Sequence, residues 1–149
     1  MTEHAPTVLV VEDNPTDVML IRRAFSKANI GNPLQMVRDG DEAVQYLAGE
    51  GVFTDRAAYP LPAVMLLDLK LPRRSGLEVL QWVRGQTALR RLPVVVLTSS
   101  NQSQDVNRAY DLGANSYLVK PVEFDDLRDM LGKVNIYWID LNKKPSLSI

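Results

Sequence analysis

The sequence predicts an α/β fold, a doubly wound sheet of five parallel strands with helices on both faces. Short apolar runs recur along the 149 residues, and segments with helical spacing separate them. The runs are apolar throughout instead of alternating, which is typical of strands buried on both faces of a sheet. Strands that alternate with helices favour a parallel sheet with right-handed crossovers.

Each predicted strand is a short apolar run bounded by a proline, a glycine or a polar residue. The clearest is Val64–Leu67, which follows Pro62 and ends at Asp68. Its uninterrupted apolar residues indicate a central, fully buried strand. The predicted strands cover residues 7–11, 34–37, 64–67, 92–97 and 115–119.

The predicted helices follow from capping residues and from apolar residues at helical spacing. In the first helix Asn14 is the expected N-cap, Pro15 stands in the first turn, and Asp17 lies at the positive end of the helix dipole. The other helices are predicted to begin near residues 40, 76, 103 and 123. Residues 49–62 have weak periodicity and several helix breakers, so we expect a long exposed loop there.

Composition predicts one ordinary globular domain without disulfides. We expect a single domain over residues 1–149, with a core at about 7–133 and a C-terminal helix extension and tail at 134–149.

The lack of cysteine excludes thiolate chemistry and favours a cytoplasmic location. A net charge of -1 gives no sign of nucleic acid binding, and no apolar run approaches the length of a membrane span. The first residues lack the features of a signal peptide, and we expect no role for the single histidine, His4.

Polar side chains follow four of the predicted strands at the point where each strand ends. Glu12 and Asp13 follow the first strand, Asp68 the third, Thr98 the fourth and Lys120 the fifth. Parallel strands end at one edge of the sheet, where ligands bind. We therefore expect these side chains to lie together and to form a site.

The residue types indicate phosphoryl chemistry assisted by a divalent metal. Carboxylates placed close together repel one another unless a cation joins them, and oxygen ligands suit a hard ion such as Mg²⁺. Lys120 suits a phosphoryl oxygen, and the Thr98 hydroxyl can donate to the same group. Asp68 can then act as a nucleophile toward phosphorus and form an aspartyl phosphate.

Several motifs around these residues resemble the receiver domain of two-component response regulators. Each motif is weak alone, but the set is specific in combination and covers residues 7–133. The resemblance implies a flavodoxin-like sheet with the strand order 2-1-3-4-5. The matching segments are Val10-Val11-Glu12-Asp13-Asn14, Leu66-Leu67-Asp68-Leu69-Lys70-Leu71-Pro72, Val96-Leu97-Thr98, Gly113-Ala114-Asn115 and Tyr117-Leu118-Val119-Lys120-Pro121.

The resemblance also implies what the chain does and how it binds metal. Asp68 would accept a phosphoryl group from a sensor histidine kinase, so the chain would be a phosphoacceptor regulator and not an enzyme. Mg²⁺ would be bound by Asp13, Asp68 and the backbone carbonyl of Lys70. Glu12 would assist the metal, often through water.

Further residues would carry the response to phosphorylation. The resemblance places Thr98 and Tyr117 at the switch positions, which couple the site to the face formed by the fourth and fifth helices. Lys120 and Pro121 match a motif that usually contains a cis peptide bond.

Two details of the sequence indicate which kind of response regulator the chain resembles and how its signal would leave the domain. The long 49–62 loop, with Asn14-Pro15-Thr16-Asp17 and Leu71-Pro72-Arg73-Arg74, resembles the small single-domain regulators that serve phytochrome-type histidine kinases. About sixteen residues follow Lys133, too few for an effector domain, so we expect no DNA-binding output domain. Output would then occur through protein–protein contact or onward phosphotransfer.

Three other functions use a similar fold or a similar nucleophile. A phosphatase of the haloacid dehalogenase type needs a second Asp two residues after the first, where this chain has Lys70. A flavin-binding module would need a phosphate loop after the first strand, and none follows. A receiver-like binding module that never takes phosphate is disfavoured by the complete set of Asp68, Thr98 and Lys120.

The end of the chain predicts an oligomer. Apolar residues at steps of three and four indicate a helix from near Glu123 to Leu141. Its last part, with Tyr137, Trp138 and Ile139, is apolar on more than one side, and such a patch usually marks a contact surface. We expect a homodimer through this helix; the alternative is a chain that folds back at residue 135 and packs Trp138 on its own domain.

Overall fold

The computed structural model describes residues 5–147, so His4 lies outside the described residues. A single five-stranded sheet forms the centre of this part of the chain, and all its strand pairs are parallel. The strands are β1 (Val8–Val11), β2 (Leu34–Val37), β3 (Val64–Leu67), β4 (Val94–Thr98) and β5 (Ser116–Val119). Their spatial order, β2-β1-β3-β4-β5, confirms the predicted flavodoxin-like topology.

Five α-helices alternate with the strands, as the sequence predicts. Asn14 caps the first by accepting a hydrogen bond from the backbone N–H of Asp17 at 3.1 Å. Ser75 and Glu78 form a complete capping box at the start of the third. The helices are α1 (Pro15–Lys27), α2 (Gly40–Ala48), α3 (Gly76–Gly85), α4 (Ser103–Asp111) and α5 (Phe124–Asn135).

The sheet is buried on both faces by two separate apolar clusters. Leu9 and Val11 point into the cluster that contains residues of α2, α3 and α4. Val8 and Val10 point to the other side, into the cluster formed with α1 and α5. Successive strand residues face opposite sides of a sheet, so apolar cover on both sides requires apolar residues at every position. This explains why the strands read as uninterrupted apolar runs.

The segment 49–62 is a loop with many exposed residues, as predicted, but a few of its side chains anchor it to the domain. It contains a short 3-10 helix, Gly51–Phe53, and the Phe53 side chain is only 7% exposed. The Phe53 ring lies 5.2 Å from that of Tyr46 and 5.0 Å from that of Tyr59. Arg56 donates hydrogen bonds to three backbone carbonyls, those of Tyr46, Leu47 and Tyr59. These contacts join residues that are close in sequence, but their spacing follows neither the helical nor the strand period, so local periodicity does not reveal them.

The C-terminal helical segment has the predicted bounds, but part of its predicted exposed apolar patch is buried in the domain. A π-helix, Ile136–Leu141, continues α5, so the helical segment ends at the expected residue. Ile139 is 5% exposed and packs in the cluster between α5 and the sheet, where Trp138 packs partly as well. In a π-helix residues five apart are bonded neighbours, and Ile139 follows Val134 into this cluster, so the predicted patch is divided. Tyr137 remains exposed.

The chain reverses direction after the π-helix and not at residue 135. Asn142 has extended backbone angles, and Lys144 donates a hydrogen bond back to the Ile139 carbonyl. Leu147 then packs against the cluster on the α2 and α3 side. The domain therefore buries part of its own tail.

Two further findings concern the backbone. No peptide bond among residues 5–147 is cis, so the expectation of a cis bond between Lys120 and Pro121 is wrong for this structure. The trans form is the more stable isomer before proline by about 0.5–1 kcal/mol, and the Lys120 ion pairs described below form with it. No helix in the described part of the chain combines the length and the apolar character needed to cross a bilayer.

Candidate functional site

The predicted strand-end residues lie at one edge of the sheet. Glu12 directly follows β1, Asp68 follows β3, Thr98 is the last residue of β4, and Lys120 follows β5. The backbone N–H of Lys120 donates to the Thr98 carbonyl at 2.8 Å, and that of Asp68 to the Val11 carbonyl at 3.1 Å. These bonds extend the sheet to the site, so the side chains are held by rigid backbone.

The ammonium group of Lys120 is the centre of the site. Its Nζ atom lies 2.5 Å from Oε1 of Glu12 and 2.9 Å from Oδ2 of Asp68. A third carboxylate, Asp17 of α1, lies 3.0 Å away. The lysine side chain is only 13% exposed, and one positive charge therefore faces three carboxylates with little water present.

Burial and the opposite charges nearby shift the pKa values of these groups in opposite directions. Burial alone would raise the pKa of Asp68, but the hydrogen bond and charge of Lys120 outweigh it and hold the pKa below its ordinary value. Burial would lower the pKa of Lys120, yet its carboxylate partners raise it above its ordinary value. Burial raises the pKa of Glu12 to about 7, because Lys120 only partly offsets desolvation and Asp68 adds repulsion. Asp68 is thus ionised at neutral pH, whereas Glu12 is only partly ionised.

The Thr98 hydroxyl is placed for a ligand. The residue is fully buried, and Oγ1 has no hydrogen-bond partner of good geometry among the described residues. A buried hydroxyl without a partner costs free energy. A group added at Asp68 could accept its hydrogen bond.

The loop after β3 approaches the site closely. A Cβ at Gly76 would lie 2.1 Å from the carbonyl oxygen of Asp68, so only glycine fits there. The Gly76 N–H donates to the Leu69 carbonyl, and the Lys70 N–H lies 3.3 Å from Oδ1 of Asp68. Arg73 has a positive φ of 67°, an uncommon conformation for a side chain of this size.

The predicted metal ligands are only partly assembled. Glu12 and Asp68 point to Lys120, whereas Asp13 is exposed. In this conformation Lys120 takes up the Glu12, Asp17 and Asp68 carboxylates, and no group of three acidic or histidine side chains of residues 5–147 is arranged to hold a metal ion. The donor chemistry nevertheless fits a hard cation, because all donors are oxygen and the carboxylates outnumber the single ammonium.

The predicted switch residue Tyr117 contacts the loop after β4. Its hydroxyl donates to the Ser100 carbonyl at 2.9 Å, and the Ser100 hydroxyl donates to Asp105 in the first turn of α4. The ring is half-buried on β5. Tyr117 therefore connects the edge that carries Thr98 with α4.

Sequence reasoning missed one member of the site, Asp17. The sequence indicates a place at the dipole of α1 and in a family motif for Asp17, but not that its carboxylate binds Lys120, 103 residues away. A signal was present: the first turn of α1 begins four residues after the end of β1, at the same edge of the sheet. An acidic residue there lies within reach of the strand-end groups.

Comparison with known proteins agrees with the geometry. Residues 8–132 match the response regulator receiver domain family. The chain belongs to this family. The receiver assignment disfavours a dehalogenase-type phosphatase, in agreement with Lys70 at the position where that family has its second Asp.

Similar receivers are known from several organisms. A probable methanogenesis regulatory protein, FilR2 of Methanothrix harundinacea, is 40% identical over 138 residues, which cover 93% of this chain and 86% of FilR2. Response regulator Rcp1 of Synechocystis is 34% identical over 139 residues, which cover 93% of this chain and 92% of Rcp1.

Solved structures resemble this receiver over almost their whole length. The phosphorylated cyanobacterial phytochrome response regulator RcpA superposes with a TM-score of 0.87 at 34% identity, over 95% of this chain and 99% of RcpA. The Mn²⁺-bound form of Rcp1 superposes with a TM-score of 0.83 over the same shares. Response regulators of phytochrome signalling are therefore among its relatives.

Proposed function

We propose that this receiver accepts a phosphoryl group on Asp68 from a phosphohistidine of a sensor histidine kinase. The observation that carries the proposal is the contact of 2.9 Å between the Asp68 carboxylate and Lys120 Nζ, beside the unpartnered Thr98 hydroxyl. An Asp68 oxygen attacks phosphorus, the bond from phosphorus to the histidine nitrogen breaks, and the imidazole keeps the electron pair and takes up a proton.

The surrounding residues stabilise the phosphoryl group electrostatically. Lys120 donates to one phosphoryl oxygen and Thr98 to another, which offsets charge that develops during transfer. Asp13, Asp68 and the Lys70 carbonyl would hold Mg²⁺, with Glu12 assisting. When bound, the metal neutralises charge on the phosphoryl oxygens. The manganese-bound form of Rcp1 supports a divalent metal in this family.

The partner in this proposal is a phytochrome-type histidine kinase in the cytoplasm. Support comes from the likeness to RcpA over 95% of this chain and from the length of the 49–62 segment. Output occurs by protein–protein contact or onward phosphotransfer. Thr98 and Tyr117 transmit the response, since Tyr117 already connects β5 to the loop before α4 through Ser100.

A homodimer through the C-terminal helix is part of the same proposal. Ile136, Tyr137 and Leu141 are 52%, 56% and 72% exposed, so an apolar strip remains after Trp138 and Ile139 have packed inward. Sedimentation equilibrium of the wild type and of Tyr137→Ser tests the strip, with the exposed Tyr110→Ser as the matched control. A monomeric wild type at high micromolar concentration, with and without a phosphodonor, contradicts the dimer.

Mapping of the acyl phosphate tests the phosphoacceptor. The protein is incubated with acetyl phosphate and Mg²⁺, and the labelled residue is located by mass spectrometry after reduction with borohydride. We expect label on Asp68, none in Asp68→Asn, and normal label in Asp111→Asn, which removes an exposed carboxylate on α4. Unchanged labelling of Asp68→Asn would contradict the assignment.

A further inference from the structure

The start of α2 lies against the loop that follows β3. The backbone N–H of Gly40 donates to the Pro72 carbonyl at 3.4 Å. The next residue, Asp41, accepts a hydrogen bond from Nε of Arg74 at 3.2 Å, across 33 residues of sequence. Two successive residues of the helix therefore contact the loop that contains Lys70, whose carbonyl is one of the ligands proposed for Mg²⁺.

Position 40 has no room for a side chain. A Cβ built on Gly40 would overlap the carbonyl oxygen of Arg74 and would lie 2.6 Å from both the carbonyl carbon and the Cβ of that residue. Real Cβ atoms keep at least 3.0 Å from other heavy atoms. Two of the three atoms belong to the backbone, so they cannot rotate away as the end of a flexible side chain could. Only glycine allows the loop to lie this close to the helix.

The loop is the side of this contact that can move. Tyr46 and Leu47 of α2 are fully buried, and Arg56 donates hydrogen bonds to the carbonyls of both. The helix is thus fixed to the core and at its last turn. In the loop, Lys70 and Arg73 are exposed. A side chain added at position 40 would therefore displace the loop and leave the helix in place.

A displacement at Arg74 would extend to Lys70, because the loop is closed by hydrogen bonds. The Gly76 N–H donates to the Leu69 carbonyl at 2.9 Å, and the Arg74 N–H donates to the Pro72 carbonyl at 2.8 Å. Each residue has only two soft backbone dihedral angles, so a short closed loop cannot shift at one residue without moving its neighbours. The place of the Lys70 carbonyl thus depends on where Arg74 rests.

We propose that Gly40 is a positioning residue for the metal: by leaving room for Arg74, it sets the place of the Lys70 carbonyl. Mg²⁺ requires near-octahedral geometry with its ligands at about 2.0–2.1 Å. A carbonyl displaced by a few tenths of an ångström no longer meets this requirement. This inference rests on the proposed function, because it concerns the metal site described there.

Titration with Mg²⁺ measures the role of Gly40. The affinity of the full chain is determined by calorimetry for the wild type and for Gly40→Ala. We expect about tenfold weaker binding to Gly40→Ala, which is in the range for loss of a contact that orients a metal ligand. Gly85→Ala is the matched control, because a Cβ at this helical glycine would meet no atom within 4 Å. It should change the affinity less than twofold, and equal affinities of the two variants would overturn the proposal.

Titration with Ca²⁺ separates positioning from a general loss of structure. Ca²⁺ accepts ligands at about 2.3–2.6 Å in flexible geometry, so a displaced carbonyl weakens its binding less. Gly40→Ala should lower the affinity for Mg²⁺ about threefold more than the affinity for Ca²⁺. A variant that is merely less folded loses both affinities by the same factor, and that result would overturn the proposal. Failure of Gly40→Ala to fold would overturn it as well, since it would show that the loop does not yield.

Amide NMR locates the effect in the loop. The Leu71 N–H belongs to the same peptide unit as the Lys70 carbonyl, so the ¹⁵N resonance of Leu71 reports coordination by that oxygen. The shift of this resonance at saturating Mg²⁺ should be smaller in Gly40→Ala than in the wild type, and it should be unchanged in Gly85→Ala. An equal shift in all three proteins would show that the carbonyl has kept its place, contrary to the proposal.

Failure of this inference is distinguishable from failure of the proposed function. If the wild type binds Mg²⁺ and is labelled on Asp68, but Gly40→Ala binds Mg²⁺ equally well, only the role of Gly40 is wrong. If the wild type neither binds Mg²⁺ nor acquires label on Asp68, the proposed function is wrong and this inference with it.

Discussion

Two partly buried cations, Lys120 and Arg84, have opposite kinds of partners. Lys120 faces three carboxylates, whereas Arg84 of α3 donates to neutral acceptors only. Two of its bonds go to the Gly113 carbonyl at 2.9 and 2.7 Å, and one goes to the Asn115 side chain. Two more go to the carbonyls of residues 90 and 92 before β4.

The pKa values reflect this difference. Burial lowers the pKa of Arg84 and no carboxylate offsets it, but arginine keeps its proton at all ordinary pH values. The carboxylates raise the pKa of Lys120. Neutral acceptors in a planar arrangement suit a permanent connection between α3, β4 and β5. An excess of negative charge around a lysine suits exchange of one anion for another, and this distinguishes Lys120, for which we propose a function, from the structural Arg84.

Arg84→Leu is expected to produce the largest change, a loss of about 3–5 kcal/mol in the free energy of unfolding. The substitution leaves the partly buried carbonyls of Gly113 and Leu92 without their Arg84 donors. Urea denaturation measures it, with the exposed Arg91→Leu as a control that should change stability by less than about 0.5 kcal/mol. The fraction of Arg84→Leu that is folded should still be phosphorylated on Asp68. A loss of stability no larger than that of the control would show that Arg84 is not a structural cation.

Lys120→Met should reduce the rate of phosphorylation by acetyl phosphate about a hundredfold or more, because the phosphoryl charge loses its ammonium partner. The rate is followed by mass spectrometry on protein shown to be folded by circular dichroism. Lys133→Met, which removes an exposed lysine of α5, is the control and should retain the rate. A rate equal to that of the control would show that Lys120 does not take part in phosphorylation, so the contrast with Arg84 would not concern function.

The raised pKa of Glu12 predicts a pH dependence that Arg84 lacks. Folding raises this pKa from 4.5 to about 7, so the stability contributed by the protonated carboxyl is fully present below about pH 4.5 and is lost as pH rises through about 7. Without divalent metal, the wild type should lose about 1 kcal/mol per pH unit relative to Glu12→Gln between pH 5 and 7. Urea titrations at each pH measure this difference. A difference that stays constant with pH would contradict the assignment.

Asn115→Asp gives Arg84 a charged partner and so tests how much the neutral partners of Arg84 matter in the comparison with Lys120. The Asn115 Oδ1 atom already accepts hydrogen bonds from Arg84 and from the Val94 N–H, so a carboxylate can replace it without rearrangement. We expect a gain of about 0.5 kcal/mol in the free energy of unfolding, which high salt should remove. Asn101→Asp, in the exposed loop before α4, is the control. A gain that persists in high salt would show that the charge is not its cause.

Much of the fold and most of the site could be predicted from the sequence. The five strands and their helices follow from local patterns, since apolar runs, caps and helical spacing act over a few residues. The meeting of Glu12, Asp68, Thr98 and Lys120 follows as well, because parallel strands end at the same edge. The roles proposed for them follow from residue type.

Contacts between distant segments were decided only by the tertiary structure. Asp17 lies 103 residues from Lys120, and Arg84 lies 29 residues from the Gly113 carbonyl. The packing of Phe53 and the burial of Ile139 likewise depend on which elements pack against these residues. The local sequence pattern around a polar residue at a helix start, or around an apolar residue in a loop, is the same whether or not another segment of the chain contacts that residue. Its partner is determined by how the elements pack, and that arrangement exists only once the chain has folded.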